Sequence, residues 1–377
     1  MLKPAWHRVP VLALAAASLL TGLAGALARL GAGTPSPAGA AAGHGVLMAL
    51  GFLGTLIALE RAVALRLAWG YLAPLLSGVG GLAIVAGVPA PWPALLMAAA
   101  GAWLSAGYLV MWQRQPVVHL AVQGFGAVAW WGGAMCWLAG TDLPGLAPWL
   151  AAFVVLTIAG ERVELARVAL VGVRYREVVL GWSALILAGP VLTIAWPAAG
   201  ARVLGVGLLV LSVWLLRYDV ARRTVRASGL TRYMASCLLT GYVWLAAAAL
   251  IWAWRGALTD GPAYVATLHA VFIGFARSMV LGHAPVILPA VLRIRLPYHP
   301  RDYAVLALLH GSLALRLVGG DLFGVEHLRL VGGVLGVVAL LAFVANAAGS
   351  AYGARRVSHR PEQPAAPTSY PVQGDLR

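Results

Sequence analysis

The chain alternates long apolar runs with short breaks of charged residues, proline or glycine. Twelve of the runs approach or exceed the roughly 20 residues that a helix needs to cross the apolar core of a bilayer. They predict spanning helices at 9–30, 44–66, 70–88, 92–112, 117–139, 146–170, 177–196, 200–221, 231–254, 263–292, 302–319 and 327–349. The pattern therefore predicts an all-α, polytopic membrane helix bundle of about 12 transmembrane helices.

The basic residues predict the orientation of this bundle. Cytoplasmic loops carry an excess of Lys and Arg, and with a cytoplasmic N-terminus the even-numbered loops contain most of them. The cytoplasmic set includes Arg61, Arg66, Arg114, Arg167, Arg174, Arg176, Arg222, Arg223, Arg226, Arg232, Arg293, Arg295 and Arg301. Scattered charges such as Arg29 and Arg255 remain outside. Twelve spans then place both termini in the cytoplasm.

The chain predicts a single transmembrane domain over 1–354 and a disordered cytoplasmic tail over 355–377. The tail is polar and rich in proline, which is typical of disorder. The first apolar run follows a basic start, so a cleaved signal peptide is the alternative to a retained helix. The length of the run and Arg29 at its far end favour retention.

Composition excludes an ordinary soluble enzyme, since 61% of the residues are hydrophobic and 10% are charged. The net charge of +15 lies in short loop clusters, which indicates membrane topology and no nucleic acid. We expect the partner to be the lipid bilayer of a bacterial cytoplasmic (inner) membrane. The two cysteines form no C-x-x-C-H attachment site, so any haem would be held by side-chain ligands.

Ionisable residues inside spanning helices are costly, and each is by default a candidate functional residue. The predicted spans contain His44, Glu60, His119, Glu161, Arg162, Glu164, His269, Arg277, His283 and His310.

The histidines predict two polar layers. His44 and His269 share a depth near the outer side, whereas His283 lies fourteen residues beyond His269, or about 21 Å deeper. His310 and His119 also lie near the cytoplasmic side. Paired histidines on facing helices can hold haem b or another metal, so His44, His269, His283 and His310 are candidate ligands. A packing role is the alternative for each, and the role of His119 is left open.

Acidic and basic neighbours occur twice near the cytoplasmic side. Glu60 and Arg61 lie in the second helix, and Glu161, Arg162 and Glu164 lie in the sixth. One interpretation is an ion-pair network that joins the two helices. The other is a proton path from the cytoplasm, because carboxylates in membrane helices serve proton relays.

Arg277 lies near mid-membrane with no carboxylate nearby on its own helix. We expect it either to neutralise a haem propionate, as a cofactor-binding residue, or to pair with Glu161.

Two segments resemble a known family. The sequence H-G-V-L-M-A-L-G-F, at His44–Phe52, resembles the H-A-H-E-M-x-x-G-F signature of the NnrS family. The sequence H-A-V-F-I-G-F-A-R-S-M, at His269–Met279, is similar to a later H-A-x-x-x-G-x-x-x-x-M segment of that family. Val46 and Leu47 stand where the first signature has its second His and its Glu.

The resemblance implies a twelve-helix inner-membrane protein that contains haem and copper and is linked to nitric oxide stress and denitrification. It also implies that His44 and His269 are the haem or metal ligands. The expected small-molecule partner is a diatomic gas such as nitric oxide. Whether the chain is an enzyme, and which protein donates electrons, are left open.

Two other functions stay open. A proton-coupled secondary transporter would also have twelve helices, with Glu161, Arg162, Arg277 and His283 along its path. The other is an assembly factor for a membrane complex, although the nearly loop-free chain offers little surface on which a partner protein could dock.

Overall fold

The computed structural model describes residues 5–37, 39–166 and 175–358, and every regular element among them is a helix. The twelve long helices are α1 Val9–Arg29, α2 Ala40–Leu65, α3 Ala68–Val85, α4 Trp92–Arg114, α5 Val118–Leu138, α6 Leu143–Ala166, α7 Tyr175–Thr193, α8 Pro197–Tyr218, α9 Gly229–Arg255, α10 Gly261–Leu292, α11 Asp302–Leu322 and α12 Glu326–Ser358. A single helical turn, Ala221–Thr224, lies between α8 and α9.

These helices confirm the predicted all-α membrane bundle. Eleven of the described helices are long and apolar enough to span a membrane. The other long helix, α5, contains His119, Gln123 and three tryptophans, which lower its hydropathy. The α12 helix extends to Ser358, and the rest of the predicted tail lies outside the described residues. Arg167 and Arg174, which supported the predicted orientation, also lie outside them.

Consecutive helices pack as antiparallel pairs, most extensively α4 with α5, α5 with α6, α7 with α8 and α8 with α9. The α6 helix is the most enclosed span, because 83% of the residues in its most apolar stretch are buried. The corresponding share is 72% in α2 and 22% in α12. The α2 and α6 helices therefore lie in the interior of the bundle, and α12 lies at its edge.

Three helices contain a widened, π-helical segment of eight residues. These segments are Leu47–Gly54 in α2, Ala270–Arg277 in α10 and Leu315–Leu322 in α11. The segments in α2 and α10 both contact α6. Widened turns of this kind are frequent at functional sites, and two of the three begin shortly after His44 and His269.

Candidate functional site

His44 is held by the first helix. Its Nδ1 lies 2.7 Å from the carbonyl oxygen of Gly22 in α1. The side chain is half-buried, and its Nε2 has no hydrogen-bond partner among the described residues. The donor nitrogen of His44 is thus used by the protein, and the other nitrogen is free.

His269 has the same arrangement on another helix. Its Nδ1 lies 2.7 Å from the carbonyl oxygen of Val265, one turn earlier in α10. The ring is half-buried, and its Nε2 has no partner in the described part of the chain. His269 lies within electrostatic range of His44.

The two carbonyl contacts determine the tautomer of each imidazole. A carbonyl oxygen only accepts, so Nδ1 of each ring carries the proton and Nε2 carries the lone pair. Histidines that bind metals generally have this arrangement, with the distal N–H donated to a carbonyl or carboxylate. His44 and His269 can therefore each offer an Nε2 ligand without losing a bond to the protein.

Two arginines lie within electrostatic range of both histidines. Arg277 and Arg316 both interact electrostatically with His44 and His269. Arg277 is 5% exposed, and its Nε and Nη1 have no hydrogen-bond partner among the described residues. Arg316 Nε is also buried without a partner, although its charge interacts with Asp321. The surroundings of the histidines are therefore mainly cationic.

The other two candidate ligands have no free ring nitrogen. His310 Nδ1 accepts from Trp244 Nε1 at 2.9 Å, and its Nε2 lies 3.0 Å from Thr240 Oγ1 and 3.1 Å from Ser278 Oγ. His283 is engaged in a similar way.

His283 Nδ1 donates to the Met279 carbonyl at 2.7 Å, and its Nε2 accepts from Arg162 Nη1 at 2.9 Å. His283 and His310 are thus parts of separate polar networks, and the structure does not join them into the pair that their depth suggested.

The predicted ion-pair network between the second and sixth helices is present. Arg61 of α2 forms a close ion pair with Glu60 and lies 3.9 Å from Glu161 Oε1 of α6. Arg61 Nη1 also lies 3.5 Å from Gln123 Oε1 of α5. Glu161 therefore belongs to the Arg61 network. The alternative expectation, that Arg277 pairs with Glu161, is not what the structure shows.

Glu164 and His119 form a neighbouring contact. His119 Nε2 lies 3.9 Å from Glu164 Oε2, and this contact joins α5 to α6. The predicted local partner of Glu164, Arg167, lies outside the described residues.

Asp219 is the main polar residue that the sequence-based prediction missed. Its Oδ2 lies 3.1 Å from Arg162 Nε and accepts from Tyr242 Oη at 2.8 Å. Its Oδ1 accepts from the Ala221 backbone N–H at 2.7 Å. Arg162 and Asp219 are both almost fully buried. An acidic residue inside the predicted span 200–221 was the signal that could have identified it.

The residues fit a haem by the chemistry of the ligand set, with two free imidazole nitrogens and an unpaired cation. The recorded cavities lie elsewhere, one of about 20 Å³ beside Tyr233 and Asp302 and one of about 10 Å³ beside Arg61 and Trp103. Each has room for about one water molecule. The described ranges contain no group of three or more His, Cys, Asp or Glu residues that could hold a second metal such as copper.

Comparison with known families gives one match. A family described as a domain of unknown function, DUF8744, matches residues 8–352, which is almost the whole chain. The chain belongs to the DUF8744 family. No curated protein and no solved structure matched it. The DUF8744 match includes all twelve predicted spans and every candidate residue named above, so the histidine pair lies inside the family domain. The resemblance to NnrS stays a prediction.

Proposed function

We propose that the chain is an integral membrane protein that binds haem b between His44 and His269. The observation that carries the proposal is the pair of unpartnered Nε2 atoms on two different helices, each with its Nδ1 held by a backbone carbonyl. Bis-histidine ligation from facing helices is a common way for a bundle to hold haem.

The finer part of the proposal is that the bound iron interacts with nitric oxide, as expected for a protein of NnrS type. It is supported by the two sequence motifs that begin at His44 and His269. A haem supplies an iron centre that binds diatomic gases and exchanges electrons. The protein supplies the two imidazoles, their orientation through the backbone carbonyl contacts, and the buried cation of Arg277.

The test is the visible spectrum of the detergent-purified protein, with the haem quantified as its pyridine haemochrome. We expect one b-type haem per chain, and we expect His44→Ala and His269→Ala each to lose most of the Soret absorbance. His299→Ala is the control, because His299 is an exposed histidine in the loop before α11. It should retain the haem.

Wild-type protein that is folded but colourless, after expression in haem-replete cells, would overturn the proposal. If haem is present, nitric oxide added to the reduced protein should replace one of the two histidines and so shift the Soret band. An unchanged spectrum would remove the nitric oxide part and leave the haem part standing.

A proton-coupled secondary transporter is the second candidate. The observation that favours it is the connected buried group of Arg162, Asp219 and His283, in which ionisable side chains of α6 and α10 meet directly. Intramembrane ionisable residues mark proton pathways in many transporters. Proton-driven uptake into proteoliposomes by haem-free protein would support this candidate over the first.

A further inference from the structure

Arg277 is a buried cation whose hydrogen-bonding capacity is unused. It is 5% exposed, and neither its Nε nor its Nη1 has a hydrogen-bond partner among the described residues. An unpaired charge inside a membrane protein is costly and is usually compensated by an opposite charge. An anion bound beside Arg277 would therefore compensate its charge.

Most acidic side chains of the neighbouring helices are already engaged, and Asp321 of α11, which has one buried oxygen without a hydrogen-bond partner, interacts with Arg316 and Arg329. Glu60 and Glu161 interact with Arg61, Glu164 with His119, and Asp219 with Arg162. Within the described residues, no carboxylate forms an ion pair or a hydrogen bond with Arg277.

The position of Arg277 connects it to the histidine pair. It is the last residue of the widened segment Ala270–Arg277, which begins directly after His269. Eight residues of helix separate the two by at most about 12 Å along the axis. Arg277 also interacts electrostatically with both His44 and His269. Arg277 therefore lies deeper along the same helix as His269, within electrostatic range of both histidines.

We infer that Arg277 binds a carboxylate of the ligand that His44 and His269 hold, namely a propionate of haem; this inference rests on the proposed function. A guanidinium is planar and can donate two parallel hydrogen bonds to one carboxylate. Haem carries two propionates, and Arg316, with its own unpartnered Nε, is a second cation at the site. The anion that the fold lacks is thus supplied by the cofactor.

The test compares haem b with its dimethyl ester, in which both carboxylates are neutral. Full-length protein is purified from haem-deficient cells, and the affinity for each porphyrin is measured by Soret titration. We expect the wild type to bind haem on the order of tenfold or more tightly than the ester, because a charge-assisted hydrogen bond is lost. The Arg277→Gln variant should prefer haem to the ester by a clearly smaller factor than the wild type, because only the cation of Arg316 would remain at the site.

Arg255→Gln is the matched control, because Arg255 is exposed at the end of α9. It should retain the wild-type preference for haem. Equal binding of haem and ester by the wild type would overturn the inference, and this result needs no variant. A preference that is unchanged in Arg277→Gln would also overturn it while leaving haem binding intact. Wild-type protein that binds neither porphyrin would instead overturn the proposed function and this inference with it.

Discussion

At the scale of single residues, the intramembrane histidines differ in which ring nitrogens remain free. A neutral imidazole has one donor and one acceptor nitrogen. His44 and His269 use the donor alone, whereas His283 and His310 use both. The same residue type in similar apolar helices is therefore a candidate ligand in two cases and a structural hydrogen-bonding residue in the other two.

The structural role of His310 gives a prediction. In His310→Phe the indole N–H of Trp244 loses its acceptor, and an unsatisfied donor costs about 1–3 kcal/mol. We expect a lower temperature of thermal unfolding in detergent.

The double variant His310→Phe/Trp244→Phe removes both partners, and it should be less destabilised than the sum of the two single variants. If the change in unfolding free energy of the double variant equals the sum of the changes in the two single variants, the Trp244–His310 bond contributes nothing.

At the scale of helices, close packing depends on small residues at the crossing points. Gly205 of α8 is buried against α9, and a Cβ at this position would lie 2.3 Å from the backbone nitrogen of Ala253. Membrane helices approach closely where such residues meet, because lipid provides no hydrophobic force between helices. The α8–α9 contact therefore depends on the absence of a side chain at this position.

This contact gives a second prediction, tested by one substitution at two positions. Gly205→Ala should destabilise the protein by about 1–3 kcal/mol, because backbone atoms of α9 must move. Gly181→Ala in α7 is the control, since a Cβ there meets nothing within 4 Å. It should be neutral or stabilising by up to about 1 kcal/mol, because Ala favours the helix. Equal unfolding temperatures of the two variants would contradict the tight crossing.

The widened segments show how helix geometry and site coincide. They occur in α2, α10 and α11, and these helices also carry His44, His269, Arg277 and Arg316. The sequence pattern does not predict the widened segments, because the same apolar run is compatible with regular and with widened helical turns. The sequence had already indicated His44, His269 and Arg277 on α2 and α10, and the structure adds Arg316 of α11.

At the scale of the whole molecule, buried ion pairs join helices inside the bundle, and many of the arginines lie in the predicted cytoplasmic loops. The buried Arg162–Asp219 pair joins α6 to the end of α8, and the Arg61–Glu161 contact joins α2 to α6. Large apolar side chains such as Leu109, Val213 and Val243 are exposed on the outside. This distribution suits a bundle that is surrounded by lipid and has a few ion pairs in an apolar interior.

The predicted orientation can be tested with single cysteines. Cys136 and Cys237 are first replaced by Ala, and Ser228→Cys or Thr259→Cys is then introduced at an exposed loop position. The positive-inside rule predicts that a membrane-impermeant maleimide added to intact cells labels position 259 and leaves position 228 unlabelled until the cells are lysed. The reverse pattern would invert the orientation and place the histidine pair at the cytoplasmic side.

The sequence by itself determined the number and approximate bounds of the helices. Without water in the bilayer, backbone groups must bond within their own segment, so a sufficiently long apolar run has helix as its main solution. It also identified His44, His269 and Arg277 as candidates, because polar residues stand out against an apolar background. Asp219 was missed, although the same contrast marked it.

Only the tertiary structure decided which of these groups are satisfied. Arg162 and His283 are 121 residues apart in sequence and 2.9 Å apart in space, which helix spacing alone does not specify. The tertiary structure also decides that Glu161 lies beside Arg61 and that Arg277 has no hydrogen-bond partner among the described residues. It likewise leaves Nε2 of His44 and of His269 without a partner among these residues. Each depends on which helices pack together and at what rotation, because side-chain hydrogen bonds form only within about 3.5 Å.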